Sequence, residues 1–456
     1  MLALLDTATG HVAPLEPRRP GCLSVYLCGP TVAGPPHLGH GRVTIIWDAM
    51  RRYLTWSGLQ VRFVSNVTDI DDKIIARAAQ ERCSIEDVVA RYEALWWGTM
   101  DALGVQRPDE VPHATAYVEG MIELIGDLLA KGNAYRGGDG IYFATGSVPG
   151  YGLLARQDLG SLRSGARVEV SGEAGKRNPL DFVLWKYAKE AEPSWQSPWG
   201  PGRPGWHTEC VVMSLDLLGE DFDLHLGGLD LAFPHHENER AQALAAGKVF
   251  TRRWAHNGMV VDERGDKMSR SVGNVASLAQ LLERYGGRVV RALVLGTHYR
   301  APMDLTPDVF TDAQGVVNRL DNFAREARDL PRASPDPGTI ERFRWRMDDD
   351  LDTAGALAVV FGAVRDARAD PRRAPALAAA VRECCEGALG LTLRFDHEEL
   401  DDEVTALLGR RDAARARRDW PTADAIRKTL QEMGYVVEDG PGGSVTHRGP
   451  GPYGAG

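Results

Sequence analysis

Residues 24–40 read S-V-Y-L-C-G-P-T-V-A-G-P-P-H-L-G-H, and the fold is decided by how this stretch is read. Val25, Tyr26 and Leu27 form an apolar, β-prone run that stops at Gly29-Pro30. A turn rich in Gly and Pro follows at Gly34-Pro35-Pro36. Beyond it Val43, Ile46, Trp47, Met50 and Leu54 recur at three- and four-residue steps, the period of a helix with one apolar face, and Gly58 supplies a stop. The order is therefore strand, tight turn, helix. His37 and His40 fall at the turn and the helix start, where unpaired N–H groups and the helix dipole favour an anion. Gly39 between them lets a bulky ligand approach the backbone. Two imidazoles at that point suit phosphate handling, although a short motif of this kind is equally compatible with two polar residues in a loop.

Outward from this unit the pattern repeats. Residues 60–64 form a second β-prone run, and a helix is predicted from Ile70 after Asn66, Thr68 and Asp69. Alternating strands and helices imply parallel pairing, with ligands at the carboxyl ends of the strands. Cys28 and Thr68 both fall at that edge. Asp71 and Asp72 read first as an acidic helix start. Residues 84–130 are mostly helical in pattern, and residues 132–170 are Gly-rich with short β-like pieces such as Ile141-Tyr142-Phe143, an inserted small module.

The second half of the sheet domain begins near Phe182. The stretch 197–210, S-P-W-G-P-G-R-P-G-W-H-T-E-C, is predicted to be a shaped loop because of its Pro and Gly content, with a helix from Cys210 to Leu218. Residues 222–225 read as a strand broken by Gly227-Gly228, and F-P-H-H-E-N-E-R opens another helix. On that helix His235 and Glu239 are four apart and share one face. With Cys28 and Cys210 they supply the ligand types of a tetrahedral zinc site. Spacing alone favours the alternative, a charged, capped helix start with Glu237 and Glu239 near its positive end. Later, Lys267 and Arg270 in D-K-M-S-R-S place two cations on a polar loop, suited to charge developing on a phosphate.

After Tyr299 the chain becomes helical: 309–327 and 351–369 are amphipathic, joined by a Pro-rich linker at 331–338, with a further helix at 375–391. Residues 396–432 read as two charged helices broken at Pro421, with Arg410, Arg411, Arg415, Arg417 and Arg418 in one short run, then a short strand. A net charge of −10 excludes a generally basic nucleic-acid coat but not a local basic face. The six cysteines are too sparse for a secreted disulfide framework; Cys384 and Cys385 read as core. The first residues reach Asp6 without a basic segment, and no apolar run is long enough to span a bilayer, so a cytoplasmic location and no membrane partner are expected.

Together H-L-G-H at 37–40 and K-M-S-R-S at 267–271 resemble the two signatures of class I aminoacyl-tRNA synthetases. Cys28-Gly29, T-D-I-D-D-K-I-I at 68–75, G-R-P-G-W-H-T-E-C at 202–210 and F-P-H-H-E-N-E at 233–239 narrow the resemblance to the cysteinyl-tRNA synthetases. The resemblance covers nearly the whole chain. It implies an α/β fold: a Rossmann-like parallel-sheet catalytic domain with an inserted module, a helical-bundle tRNA-binding domain and a small C-terminal domain. It implies one zinc per chain on Cys28, Cys210, His235 and Glu239, and ATP with Mg²⁺ as substrate. His37, Gly39, His40, Lys267 and Arg270 would bind ATP, with His37, His40, Lys267 and Arg270 acting in catalysis, and Gly29, Thr68, Trp206 and His225 would line a cysteine pocket. L-Cysteine, ATP and tRNA(Cys) are the implied partners of an expected monomer.

The expected division is 1–130 and 181–250 for the two halves of the catalytic domain, 131–180 for the insertion and 251–300 for the K-M-S-R-S loop and stem-contact region. The helical domain takes 301–395, the basic C-terminal domain 396–447, and a disordered tail 448–456. Three departures from the family pattern stand out: Arg270 for a usual Lys, Ala33-Gly34 for a usual Tyr-Asp, and Leu226 for a usual Gly. Two other readings are a cysteine ligase with an amino-sugar acceptor, as in mycothiol synthesis, and a non-catalytic tRNA-binding paralogue.

Overall fold

A parallel sheet of four strands organises the first two thirds of the computed structural model, in the order Trp254–Asn257, Leu224–Gly228, Cys22–Leu27 and Gln60–Ser65. The structure describes residues 1–155, 175–190, 192–261, 277–306, 308–395, 402–433, 435–440 and 443–448. The chain opens on a hairpin of β1 (Ala3–Asp6) and β2 (His11–Pro14). β3 (Cys22–Leu27) passes through the Gly/Pro turn into α1 (Leu38–Trp56), which returns to β4 (Gln60–Ser65) parallel to β3. α1 stops where Gly58 adopts a φ of +96°, a conformation open to glycine. Its burial is wider than one stripe: Ile45, Ile46, Trp47, Ala49, Met50, Tyr53 and Leu54 are all buried. The helix is therefore clamped between the sheet and later helices.

β4 leads to α2 (Asp72–Glu81), whose cap is Asp71, accepting from the Lys73 backbone N–H at 2.9 Å. α3 (Ile85–Ala102) and α4 (Val118–Ala130) follow, separated by an irregular stretch that the sequence pattern runs through. β5 (Ala134–Arg136), β6 (Gly140–Phe143), β7 (Phe182–Tyr187) and β8 (Gly202–Pro204) then form one antiparallel sheet. This sheet runs across the boundary drawn at Phe182, because β7 pairs with β6 and β8 rather than with the parallel strands.

The stretch expected to be a loop contains β8 and the first turn of α5 (Trp206–Leu218). Its glycines permit close strand contact: a methyl group on Gly202 would lie 2.3 Å from the Lys186 carbonyl, and one on Gly205 2.1 Å from that of Val183. β9 (Leu224–Gly228) includes Gly227 and Gly228 instead of ending before them, since both pair with β10 (Trp254–Asn257). A single helical turn and an irregular one, Ala232–His236, precede α6 (Glu237–Ala245), with Phe233 out of helical conformation. The helix thus begins four residues later than the motif suggests.

Beyond β10, β11 (Val260–Val261) pairs in parallel with β12 (Met303–Asp304), enclosing α7 (Leu278–Tyr285) and α8 (Gly287–Leu295). The distal bundle comprises α9 (Val309–Glu326), α10 (Pro337–Asp348), α11 (Thr353–Ala369) and α12 (Ala374–Arg382). α10 was absent from the sequence-based expectation, although Asp336 caps it and Pro337 occupies its first turn. One hydrophobic cluster joins sheet and bundle, from Val25 and Met50 to Phe343, Leu377, Cys384 and Cys385. A second, small core holds α13 (Asp402–Ala416), α14 (Trp420–Glu432) and the hairpin β13 (Tyr435–Gly440) and β14 (Gly443–Arg448) through Val404, Leu408, Ile426, Leu430, Tyr435 and Val437. Pro421 opens α14 instead of breaking a helix, and the final strand has a partner. Of the tail 448–456 expected to be disordered, Arg448 instead ends β14 opposite Tyr435, and residues 449–456 lie outside the described residues.

Candidate active site and metal centre

The chain leaves β3 toward β4 on one side and returns to β9 on the other, so the sheet order reverses between β3 and β9. Crevices at such points receive ligands because the connecting loops diverge there. Cys28 lies at the end of β3, and its backbone N–H donates to the Leu226 carbonyl of β9 at 3.3 Å. Cys210 comes from α5, His235 from the irregular turn and Glu239 from α6.

These four converge. Cys28 Sγ lies 3.5 Å from Cys210 Sγ and 3.5 Å from Glu239 Oε1. His235 Nε2 lies 3.6 Å from Cys210 Sγ and 3.1 Å from Glu239 Oε1. All four side chains are buried, with ligand atoms within 4.8 Å of one another. A second combination, Cys28, His225, His236 and Glu239, meets the same criterion. Two thiols, an imidazole and a carboxylate are a donor set that suits zinc. Glu239 Oε2 is fully enclosed yet makes no hydrogen bond, lying 3.1 Å from His225 Nε2 out of line for one. An enclosed carboxylate oxygen without a donor fits a site built for a cation.

Electrostatics point the same way. Burial pushes the Cys28 thiol well above its ordinary range, with Cys210 adding to the rise, and pushes Cys210 up to about 11. Burial likewise holds His235 and His236 neutral. Neutral imidazole is the ligating form, and a bound metal deprotonates a coordinating thiol outright. The other ring nitrogen of His235, Nδ1, lies 2.9 Å from His207 Nδ1, a contact that orients the ring.

The expected pocket residues gather around this cluster. Trp206 stacks on His235, with ring centroids 4.0 Å apart. His225 stacks on Tyr26 at 5.2 Å. Thr68 Oγ1 donates to the buried Glu209 Oε2 at 2.7 Å. Gly29 N–H donates to Asn66 Oδ1 at 2.9 Å, and a methyl group on Gly29 would fall 1.7 Å from the Asn66 carbonyl oxygen. Leu226, one of the departures, faces the hydrophobic core away from His225, as strand alternation requires. His207, Glu209, His236 and His256 were not singled out from the sequence. His256 Nε2 contacts His236 Nδ1 at 2.8 Å, and His256 Nδ1 contacts Thr7 Oγ1 at 2.7 Å. The paired His-His at 235–236 was the available signal; which of the two faces the thiols depends on the irregular backbone at Phe233.

His37 is the N-cap of α1, and its backbone N–H donates to His40 Nδ1 at 3.2 Å. Their rings stack at 3.8 Å, and Trp96 meets the His40 ring edge-on at 5.5 Å. A methyl group on Gly39 would meet the His37 ring at 2.9 Å. His37 also pairs with Ser277 in an isolated bridge. Lys267 and Arg270 lie outside the described residues.

Residues 14–315 match the model for tRNA synthetases class I (C) catalytic domain, residues 342–394 a DALR domain, and residues 397–445 a Cysteinyl-tRNA ligase anticodon binding domain. The cysteine–tRNA ligase of Halorhodospira halophila is 43% identical over 465 residues, covering 98% of this chain and 100% of the relative. That of Shewanella sp. (strain W3-18-1) is 41% identical, covering 98% and 99%. Among solved structures, Mycobacterium tuberculosis methionyl-tRNA synthetase with methionyl-adenylate aligns at a TM-score of 0.60 and 17% identity, over 80% of this chain and 89% of that one. Agrobacterium radiobacter leucyl-tRNA synthetase aligns at 0.58 and 12% identity, over 83% and 84%. Both share the fold. At this identity over nearly the full length of its relatives, and with its catalytic-domain match spanning the sheet and the crevice, the chain belongs to the cysteine–tRNA ligase family of class I aminoacyl-tRNA synthetases.

Proposed function

We propose that this protein activates L-cysteine with ATP and Mg²⁺ to cysteinyl-adenylate and pyrophosphate, then transfers cysteine to the 3′ end of tRNA(Cys). The observation that carries this reading is the buried Cys28, Cys210, His235 and Glu239 cluster at the sheet's reversal point, one strand-end away from the His37–His40 turn. Zinc held by these four would bind the substrate thiolate, a softer and stronger ligand than a serine hydroxyl. Two thiols favour this set over the alternative that includes His225 and His236.

The remaining chemistry belongs to the chain's own groups. Gly29, Thr68, Trp206 and His225 wall the amino-acid pocket, and the Trp206 ring over His235 excludes water from one side. His37, Gly39 and His40 form the turn that receives the triphosphate, where a helix N-terminus and two imidazoles can meet developing charge. Lys267 and Arg270 are proposed to complete that charge stabilisation. The cysteine carboxylate attacks the α-phosphate, so positioning is the main demand on the protein. Residues 301–395 are proposed to be a tRNA-binding helical domain, with the basic domain 396–447 adding to the hold on the tRNA, and the enzyme to act as a cytoplasmic monomer. Among the described residues, no helix is long and apolar enough to cross a membrane.

The test is cysteine-dependent pyrophosphate exchange and tRNA charging by the purified zinc-loaded protein, with an amino sugar offered in parallel. Exchange and tRNA charging are expected. Exchange with transfer only to the sugar would establish the ligase alternative, and tRNA binding without exchange would establish a non-catalytic paralogue.

A further inference from the structure

Arg42 sits two residues beyond His40 on α1 and is 1% exposed. Such burial of a guanidinium is costly unless its donors are satisfied. Here both Nη groups converge on backbone carbonyls of one neighbouring unit, while Nε, also buried, makes no hydrogen bond among the described residues. Nη1 donates to Met259 O at 2.7 Å, and Nη2 donates to Tyr299 O at 3.3 Å and also to Ala301 O. Burial lowers the guanidinium pKa to about 10, which leaves it charged at neutral pH.

The acceptors lie where β11 and β12 meet. Met259 O also accepts from Met303 N–H at 2.9 Å, and Tyr299 O from Gly258 N–H at 2.8 Å. Gly258 approaches so closely that a methyl group there would lie 2.3 Å from Ala301 O. The first turn of α1, with His37 and His40, is thereby tied to the β11–β12 junction by a planar fork. A lysine offers a single point charge and cannot reproduce that fork. Among the described residues, no hydrogen bond links this arrangement to Cys28, Cys210, His235 or Glu239.

We propose that Arg42 is a positioning residue for the ATP-dependent step, holding the His37–His40 turn at a fixed place on the β11–β12 junction. This rests on the function proposed above. Loss of the fork lets the turn shift, and a displacement of about 1 Å at a reacting centre costs on the order of 100-fold in rate.

Arg42→Lys and Arg42→Met are made in the full-length, zinc-loaded protein. Two of the three carbonyls keep a backbone donor in either variant, so folding is expected to survive. Rates of exchange are normalised per folded active site by cysteine-binding stoichiometry. Arg42→Met is expected to lower kcat about 100-fold while KM for cysteine stays within about twofold, with Arg42→Lys intermediate. Amide hydrogen exchange at His40, Gly41, Gly258 and Met303 is expected to quicken together, while the second half of α1 keeps its protection. Wild-type rates per folded site in both variants would overturn the inference. So would unchanged protection at those four amides, or a loss of activity that merely follows the folded fraction. Wild-type protein lacking cysteine-dependent exchange would overturn the function proposed above instead, and the amide measurement would still decide the role of Arg42.

Discussion

At Gly29 one added methyl group would sit 1.7 Å from the Asn66 carbonyl oxygen, although this glycine needs no unusual backbone angle. The constraint is closeness of two strand-end loops, and it places Cys28 next to the pocket. Gly29→Ala is expected to destabilise the protein by about 1–3 kcal/mol, the range for overpacking, and to weaken cysteine binding more than ATP binding. Thermal unfolding and a cysteine titration would check both effects. The ligand set is separable by similar single changes. Cys210→Ser and His235→Ala are expected to lose most of the bound zinc, measured by elemental analysis after dialysis against a weak chelator. His236→Ala is expected to keep it, since its Nδ1 already faces His256. Zinc retained by Cys210→Ser but lost in His236→Ala would assign the metal to the alternative set with His225. Arg411 shows the opposite kind of outcome. It belongs to the basic run read from the sequence, yet it is 2% exposed and donates to Ser444 Oγ. It braces the C-terminal hairpin and is unavailable to a phosphate, whereas Arg410, Arg417 and Arg418 are exposed.

At the scale of elements, α5 does more for the site than any other helix. It begins directly after β8, so one short segment delivers Trp206, His207, Glu209 and Cys210 to the crevice. The inserted sheet is held against α2 as well: Asp72 pairs with both Lys186 of β7 and Arg203 of β8. Asp72 was read as an acidic helix start, and its location on α2 agrees, but its partners come from the insertion. In the distal bundle the cap of α10 offers a clean test. The Asp336 carboxylate accepts from Thr339 N–H and from Thr339 Oγ1, each at 2.8 Å. Asp336→Ala is expected to cost about 1 kcal/mol, visible as a lower melting temperature with exchange activity per folded molecule unchanged. Asp-Pro-Gly at this point reads as a linker by composition. The same residues are also a helix start, and only the burial of Phe343 and Met347 against the shared core decides between the two.

For the whole molecule, the separation of the small C-terminal core from the large one defines what can be removed. Leu391 and Leu393 belong to the large core, so a cut near 391 would open it; the small core of 404–437 is distinct. Truncation after residue 395 is therefore expected to leave cysteine-dependent exchange within about twofold of the full chain, because the adenylate site is intact. Charging of tRNA is expected to fall at least about tenfold, and charging by the full chain to be far more salt-sensitive than exchange. Circular dichroism would first establish that the truncated protein is folded. A folded truncation that charges tRNA normally would make the basic helix a solvated face.

The sequence by itself determined the strand–turn–helix at 24–56, the parallel class of the main sheet and the candidate ligands, because these rest on local periodicity and on residue chemistry that survives any packing. It also carried the family signatures in order. It did not determine that Cys28, Cys210, His235 and Glu239 meet. Their separation of up to 211 residues is closed only by the reversal of strand order between β3 and β9. It misplaced Phe182–Tyr187, since a strand's partner is set by the neighbouring backbone and not by its own residues. It read Gly227-Gly228 as a break because glycine weakens an isolated strand. In the folded chain those residues pair with His256 and Asn257, and the missing side chain at Gly227 makes room for the His236 ring, 2.7 Å from where a methyl group would be. Tertiary packing decided each of these cases, because only there do distant backbones and side chains compete for the same space.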